Sequence, residues 1–173
     1  MRLRFGGLLL VGAVVAVATA VVAQPAFADN GYYQIVNAGS GKCAEANRSA
    51  GAGNGVVVLQ ATCDLDASQM WKPNITSNGR YLLENRAAPG VCLDVEDGVD
   101  ADRTRVQEWS CTGGLSMQWI ITTDPFGQHQ LISGLNGHRC LDVAGASLQD
   151  GARIQIYHCT GFGNLAQVWN LVP

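Results

Sequence analysis

Outside its N-terminal segment the chain has no window with a sustained 3.6-residue apolar period, which argues against helices as its building blocks. Charge is sparse: Asp, Glu, Lys and Arg make up 14% of residues, and the Lys and Arg are scattered along the sequence. The electrostatic footprint of a nucleic-acid binder, or of a protein that docks on an anionic membrane, is missing. Histidine is scarce. His129, His138 and His158 all fall in the last third and lack the shared spacing of a zinc site. None of them has an obvious Ser or Cys nucleophile with an orienting acid. Gly39-Ser40-Gly41-Lys42 lacks the strand–loop–helix setting of a phosphate loop. The acidic residues Glu96, Asp97, Asp100 and Asp102 do not follow calcium-loop spacing and read as a solvated turn. No metal, no cofactor and no enzymatic activity are expected.

What is present begins with a leader. Arg2 and Arg4 precede an apolar run from Phe5 to Val22, and Ala26-Phe27-Ala28 supplies a small-x-small cleavage site. That order predicts a signal peptide over residues 1–28, cut near Ala28, and a secreted protein without a membrane segment. The run is near the lower limit of about 18 residues for crossing a bilayer. Residues 29–173 are long enough for one domain with a sizeable core. They carry a net charge of −5, against −3 for the whole chain, because Arg2 and Arg4 lie in the leader.

All six cysteines follow the leader, and an even count in a secreted chain implies disulfides. Their spacing exposes an internal repeat. Cys43, Cys92 and Cys140 are 49 and 48 residues apart, and Cys63, Cys111 and Cys159 are 48 and 48 apart. Trp71, Trp119 and Trp169, and Gly31, Gly79 and Gly127, recur with nearly the same period. Three copies tile the chain, over residues 31–78, 79–126 and 127–173. Equivalent units should fold equivalently, so the expected bridges are Cys43–Cys63, Cys92–Cys111 and Cys140–Cys159. Each would close a loop of about 20 residues and stabilise its unit by roughly 3 kcal/mol.

Every copy reads as short strands between Gly-rich turns. Tyr32–Val36, Tyr81–Glu84 and Gln130–Ser133 open the copies. A short strand holding the first cysteine follows. The β-branched runs Val56–Val58, Val106–Trp109 and Ile154–Tyr157 come next, and strands carrying the Trp close each copy (Met70–Ile75, Gln118–Thr122, Val168–Val172). This pattern predicts an all-β barrel or sandwich. The three Trp, amid β-branched neighbours, are expected in the core.

Two copies read Gln-x-Trp (Gln69-Met70-Trp71, Gln167-Val168-Trp169), and the middle one reads Met117-Gln118-Trp119. Two carry Cys-Leu-Asp-Val, at Cys92–Val95 and Cys140–Val143, whereas the first has Cys43-Ala44-Glu45-Ala46. These features resemble the ricin B-type lectin family, also called family 13 carbohydrate-binding modules, over the whole mature chain. The resemblance implies a β-trefoil: twelve strands, a six-stranded barrel capped by three hairpins, pseudo-three-fold symmetry and core Trp residues. Gln69 and Gln167 are expected to bond nearby backbone, a task Met117 cannot perform.

The resemblance also implies one sugar pocket per copy. Its usual contributors are the Asp of Cys-x-Asp, an aromatic two residues before the second Cys, a Gln two residues before that aromatic, and an Asn three residues before the Trp. The middle copy keeps Asp94, Gln107 and Trp109, with Ser116 in the Asn position. The third keeps Asp142, Gln155 and Tyr157, with Ala166 in the Asn position and Asn164 placed to compensate if its longer loop folds back. In the first copy Glu45, Leu59, Ala61 and Ser68 stand at the four positions, and no binding is expected there. Trp109, between Glu108 and Ser110, reads as exposed in a polar setting. The expected function is a monomeric carbohydrate-binding module for galactose-type sugars or plant polysaccharide. The alternative is a protein-binding trefoil, such as an inhibitor of a secreted protease.

Overall fold

The computed structural model describes residues 31–173, so the leader and its cleavage point near Ala28 lie outside the described residues. The first copy contributes β1 (Tyr33–Asn37), β2 (Cys43–Ala46), β3 (Val58–Ala61) and β4 (Met70–Ile75). From the second come β5 (Tyr81–Asn85), β6 (Val91–Val95), β7 (Val106–Ser110) and β8 (Gln118–Thr123). The third supplies β9 (His129–Ser133), β10 (Arg139–Val143), β11 (Ile154–His158) and β12 (Trp169–Val172). Antiparallel pairing of β1, β4, β5, β8, β9 and β12 closes a ring of six, so the barrel has no free edge. The hairpins β2–β3, β6–β7 and β10–β11 cap one end. Their tips are stitched together by single bridges between Val57 and Gln107, Leu59 and Arg153, and Arg105 and Gln155. This is the expected β-trefoil.

The core follows the repeat residue by residue. Alternate side chains of a strand face one side, and Tyr81, Leu83 and Asn85 of β5 are all buried. Ile35, Leu83 and Leu131 occupy equivalent places in the core, as do Val58, Val106 and Ile154 of the cap hairpins. Trp71, Trp119 and Trp169 are fully buried. Each indole N–H donates to the carbonyl of the residue after the first cysteine of its copy: Ala44 (2.9 Å), Leu93 (3.0 Å) and Leu141 (3.0 Å). A buried indole needs such an acceptor, and here the bond ties each closing barrel strand to its cap hairpin. The bridges Cys43–Cys63, Cys92–Cys111 and Cys140–Cys159 all form within copies.

Two sequence readings require correction. The run Val56–Val58 is not a strand throughout, since β3 starts at Val58. The backbone ahead of it docks on the second copy, with Glu108 N–H donating to the Val56 carbonyl at 2.7 Å. The acidic turn is not simply solvated either. Arg139 of the third copy binds both Asp100 and Asp102, and Arg105 takes Glu96. The Arg139 pairs are part of a clasp between copies, whereas Arg105–Glu96 lies within the second. Asn54 Oδ1 accepts from Ser110 N–H (2.7 Å), Asp102 Oδ1 accepts from His158 N–H (2.8 Å), and Asp150 accepts from the Thr62 hydroxyl (3.0 Å) and Lys42 Nζ (2.6 Å). The three acceptors are 48 residues apart.

Candidate functional site

The second and third copies each carry a surface cavity at the same place, beside the cap hairpin. In the middle copy it measures about 290 Å³ and is walled by Asp94, Gln107, Trp109, Ser116, Met117 and the turn at Asp97 and Gly98. In the third it measures about 260 Å³ and is walled by Asp142, Gln155, Tyr157, Asn164, Ala166 and the turn at Gly145 and Ala146. All six site residues expected from sequence are therefore gathered, three to a cavity.

Strand register does the gathering. Asp94 pairs with Gln107 across β6–β7, and Asp142 with Gln155 across β10–β11. Directly opposed side chains lie on one face of a sheet, so each Gln amide meets its carboxylate. Gln107 Nε2 donates to Asp94 Oδ2 (3.0 Å), and Gln155 Nε2 donates to Asp142 Oδ1 (2.8 Å). The aromatic ring two residues beyond each Gln points the same way, at the outer end of the hairpin. Trp109 is 40% exposed and Tyr157 is half-buried. His158, held by Asp102 at 2.9 Å, lies against the Tyr157 ring with centroids 4.5 Å apart. The setting of Trp109 is less polar than its neighbours suggested, because Glu108 is fully buried and only Ser110 is exposed.

Burial raises the carboxyl groups of both Asp94 and Asp142 above the ordinary aspartate value of 3.8. For Asp142 the Gln155 and Gln167 amides oppose the shift. For Asp94 the Gln107 amide does so.

Gln69 and Gln167 bond backbone as expected, and also reach the pocket acids. Gln167 Nε2 donates to the His158 carbonyl (3.0 Å) and to Asp142 Oδ2 (3.2 Å), while its Oε1 accepts from Thr160 N–H (3.0 Å). Gln69 does the same with Thr62, Glu45 and Asp64. In the middle copy the Met117 sulfur accepts from Thr112 N–H at 3.3 Å, which replaces the acceptor half of the amide. The donor half has no replacement, and Asp94 Oδ1 is buried without a hydrogen-bond partner among the described residues. Met117→Gln should restore that bond. Met and Gln have similar length, and a hydrogen bond to a buried carboxylate is worth about 1.5–3 kcal/mol. The variant should show a higher urea midpoint at unchanged slope; a lower midpoint would mean the site rejects an amide.

Asn164 does line the third cavity, with Nδ2 donating to the Thr160 hydroxyl (2.9 Å) and Oδ1 accepting from Ala166 N–H (3.2 Å). The sequence reading missed the turn walls. Asp97 and Gly98, and Gly145 and Ala146, have positive φ. The Asp-Gly pair was the available signal, since it favours such turns. Arg103 was missed too: it lines the third cavity from the second copy. In the first copy Gln69 ties Glu45 into the fold, and Ala61 supplies no ring.

The ricin-type β-trefoil lectin domain-like family matches residues 24–109 and 87–157. Among solved structures the chain is similar to ThreeFoil, a designed three-fold symmetric protein, at 31% identity and TM-score 0.77, over 83% of this chain and 99% of that one. It is similar to 1,3Gal43A, an exo-β-1,3-galactanase from Clostridium thermocellum, at 26% identity and TM-score 0.74, over 85% of this chain and 31% of that one. In fold it resembles the Macrolepiota procera ricin B-like lectin solved with lactose, at 18% identity and TM-score 0.70, over 87% and 99% of the two chains. No curated protein matches the chain. The family matches run across most of the sequence, and the closed barrel, the three indole anchors and the three in-repeat bridges agree with them: the chain belongs to the ricin-type β-trefoil lectin family.

Proposed function

We propose that the protein binds carbohydrate at two sites, through Asp94, Gln107 and Trp109 in the second copy and Asp142, Gln155 and Tyr157 in the third. The observation that carries this is the twice-repeated pairing of a buried, amide-bound carboxylate with an accessible aromatic ring in one cavity. A sugar needs that combination. Its apolar C–H face packs on the ring, and adjacent hydroxyls donate to the acid and accept from the amide. Galactose-type sugars or plant polysaccharide remain the candidate ligands. Support comes from family membership, from the galactanase whose structure this chain resembles over part of its length, and from the lectin of like fold solved with lactose. The reading is of a binding module without catalysis. Both cavities are built from one chain, so a monomer suffices. The disulfides and the leader-like N-terminus support action outside the cell.

Two sites on one rigid body gain by avidity on a polymer. Trp109→Ala and Tyr157→Ala should each weaken retention on immobilised polysaccharide, and the double variant should abolish it, with unchanged Trp near-ultraviolet signal from the core. A glycan array on the oxidised protein identifies the ligand. An array without binding, joined to inhibition of a panel of secreted proteases, would replace this reading with the protein-binding one.

Acid should release the sugar before it unfolds the protein. Asp94 and Asp142 have raised pKa values in the fold, so they protonate while ordinary aspartates are still charged and stop accepting from two hydroxyls at once. Their effect on stability has the opposite sign. A carboxyl with a raised folded-state pKa favours the fold most when protonated, and that contribution is lost as pH rises from 3.8 through the raised value. Retention should therefore fall on mild acidification while circular dichroism stays native. Retention independent of pH down to 3.8 would exclude the two acids as acceptors.

A further inference from the structure

Gly55, Arg103 and Gly151 occupy one place in the three copies, 48 residues apart. Each backbone N–H docks on the next cap hairpin: Gly55 on the Glu108 carbonyl (2.9 Å), Arg103 on that of Ile156 (2.8 Å) and Gly151 on that of Gln60 (2.8 Å). All three have left-handed backbone, with φ of 82°, 74° and 78°. Glycine is the residue this conformation favours; an L side chain costs roughly 1–2 kcal/mol there. The docking bond is made by backbone, so it does not explain the arginine. Nor does a structural ion pair. The Arg103 guanidinium has no hydrogen bond or salt bridge among the described residues, whereas Arg105 is taken by Glu96, Arg153 by Gln155 and Arg139 by Asp100 and Asp102.

Arg103 lines the third cavity together with Asp142, Gln155 and Tyr157. Its other side borders a groove shared with Glu96, Asp97, Arg105 and Arg153, where guanidinium groups outnumber carboxylates three to two. The third cavity thus sets one cation against one acid, Asp142, whereas the second is acidic throughout. Its walls include two acids, Asp94 and Asp97, and no cation. The residue equivalent to Arg103 there is Gly55, and the residue equivalent to Asp97 in the third copy is Gly145.

Building on the carbohydrate-binding reading, we propose that the two sites have different ligands: the third copy takes a uronic acid, with its carboxylate on Arg103 and its hydroxyls on Asp142, and the second takes a neutral sugar. A planar guanidinium matches a carboxylate in two parallel hydrogen bonds. Strain kept at a position where the scaffold twice uses glycine marks a side chain retained for what it touches.

The test isolates each site. Trp109→Ala leaves the third cavity and Tyr157→Ala leaves the second. Both are titrated with methyl galactoside and methyl galacturonide, and with the matching glucoside and glucuronide, at low ionic strength. Arg103 is exposed, so the third site should prefer the acidic member of a pair by about three- to fivefold, as an exposed charge-assisted bond allows. That preference should shrink in high salt. The second site should prefer the neutral member. Arg103→Gly, which matches the other two copies and relieves the positive φ, should bring the third-site ratio to about one without lowering the urea midpoint. A third site that favours the neutral sugar, or keeps its preference in Arg103→Gly, overturns the assignment to Arg103 while leaving carbohydrate binding intact. Binding of none of the four glycosides to either site overturns both.

Discussion

Reduction of the three disulfides should unfold the protein at room temperature without added denaturant. The bridges close loops of 20, 19 and 19 residues that do not overlap in sequence. Each loop contributes roughly 3 kcal/mol by the chain-entropy estimate, and separate loops add nearly independently. The sum, about 9 kcal/mol, is as large as the whole stability of an ordinary domain, about 5–15 kcal/mol. Removing one bridge, as in Cys92→Ala with Cys111→Ala, should cost about 3 kcal/mol and leave a folded chain. That variant carries a second consequence. Asp94, Gln107 and Trp109 all lie between Cys92 and Cys111, so binding at the second site should suffer while the third site keeps its affinity. Urea titration followed by Trp fluorescence, before and after reduction, gives the stability, and site-resolved sugar titration gives the rest. A reduced chain that stays native with its midpoint barely moved would show that barrel packing alone carries the fold.

Arg48→Ala should destabilise the protein by about 3 kcal/mol. Arg48 reaches from the first copy into the second, where Nη1 donates to Glu108 Oε2 (2.6 Å) and Nη2 to Glu108 Oε1 (2.9 Å) and Asn85 Oδ1 (2.7 Å). The Glu108 side chain is wholly buried and that of Arg48 is 24% exposed. Burial raises the Glu108 carboxyl even with Arg48 pulling it down. Without the guanidinium, the carboxylate is left charged and unpaired in the interior or must take up a proton. The loss should accordingly depend on pH. A Glu with a further-raised pKa in the fold favours the folded state below its unfolded value of 4.5 and loses that contribution as pH rises. The variant should thus be closest to wild type in acid and weakest at neutral pH. Glu108→Gln in the Arg48→Ala background should recover much of the stability at neutral pH. A double-mutant cycle in denaturant measures the coupling, and a value near zero would show that the pair does not hold the first two copies together.

The sequence was most legible where one residue type recurs under the same constraint. The 48-residue period of cysteine, Trp and glycine was enough to pair the bridges, place the Trp in the core and divide the chain into three. The Cys-Leu-Asp-Val strands and their Gln-x-aromatic partners led to both cavities, since cross-strand register alone brings Asp94 to Gln107 and Asp142 to Gln155. The readings that failed concern residues answering to another copy. Val56 and Val57 look like a strand but serve as a docking edge for β7. Glu108 looks like surface and is buried on Arg48, sixty positions away. Asp100 and Asp102 look like a solvated turn and hold Arg139.

Local pattern by itself therefore determined the repeat, the strand types and the bridges, because each depends on spacing within one copy, while the acid-plus-aromatic sets of the two candidate sites came from the family resemblance those motifs carry. Closure of the ring decided which copies meet. Only then do Arg48 and Glu108 become partners, and only then does Arg103 of one copy stand at the mouth of the next copy's cavity. The clasp acceptors Asn54, Asp102 and Asp150 do recur with the period, but a pair made once, such as Arg48 with Glu108, leaves no periodic trace, since a single partner at an arbitrary separation satisfies it.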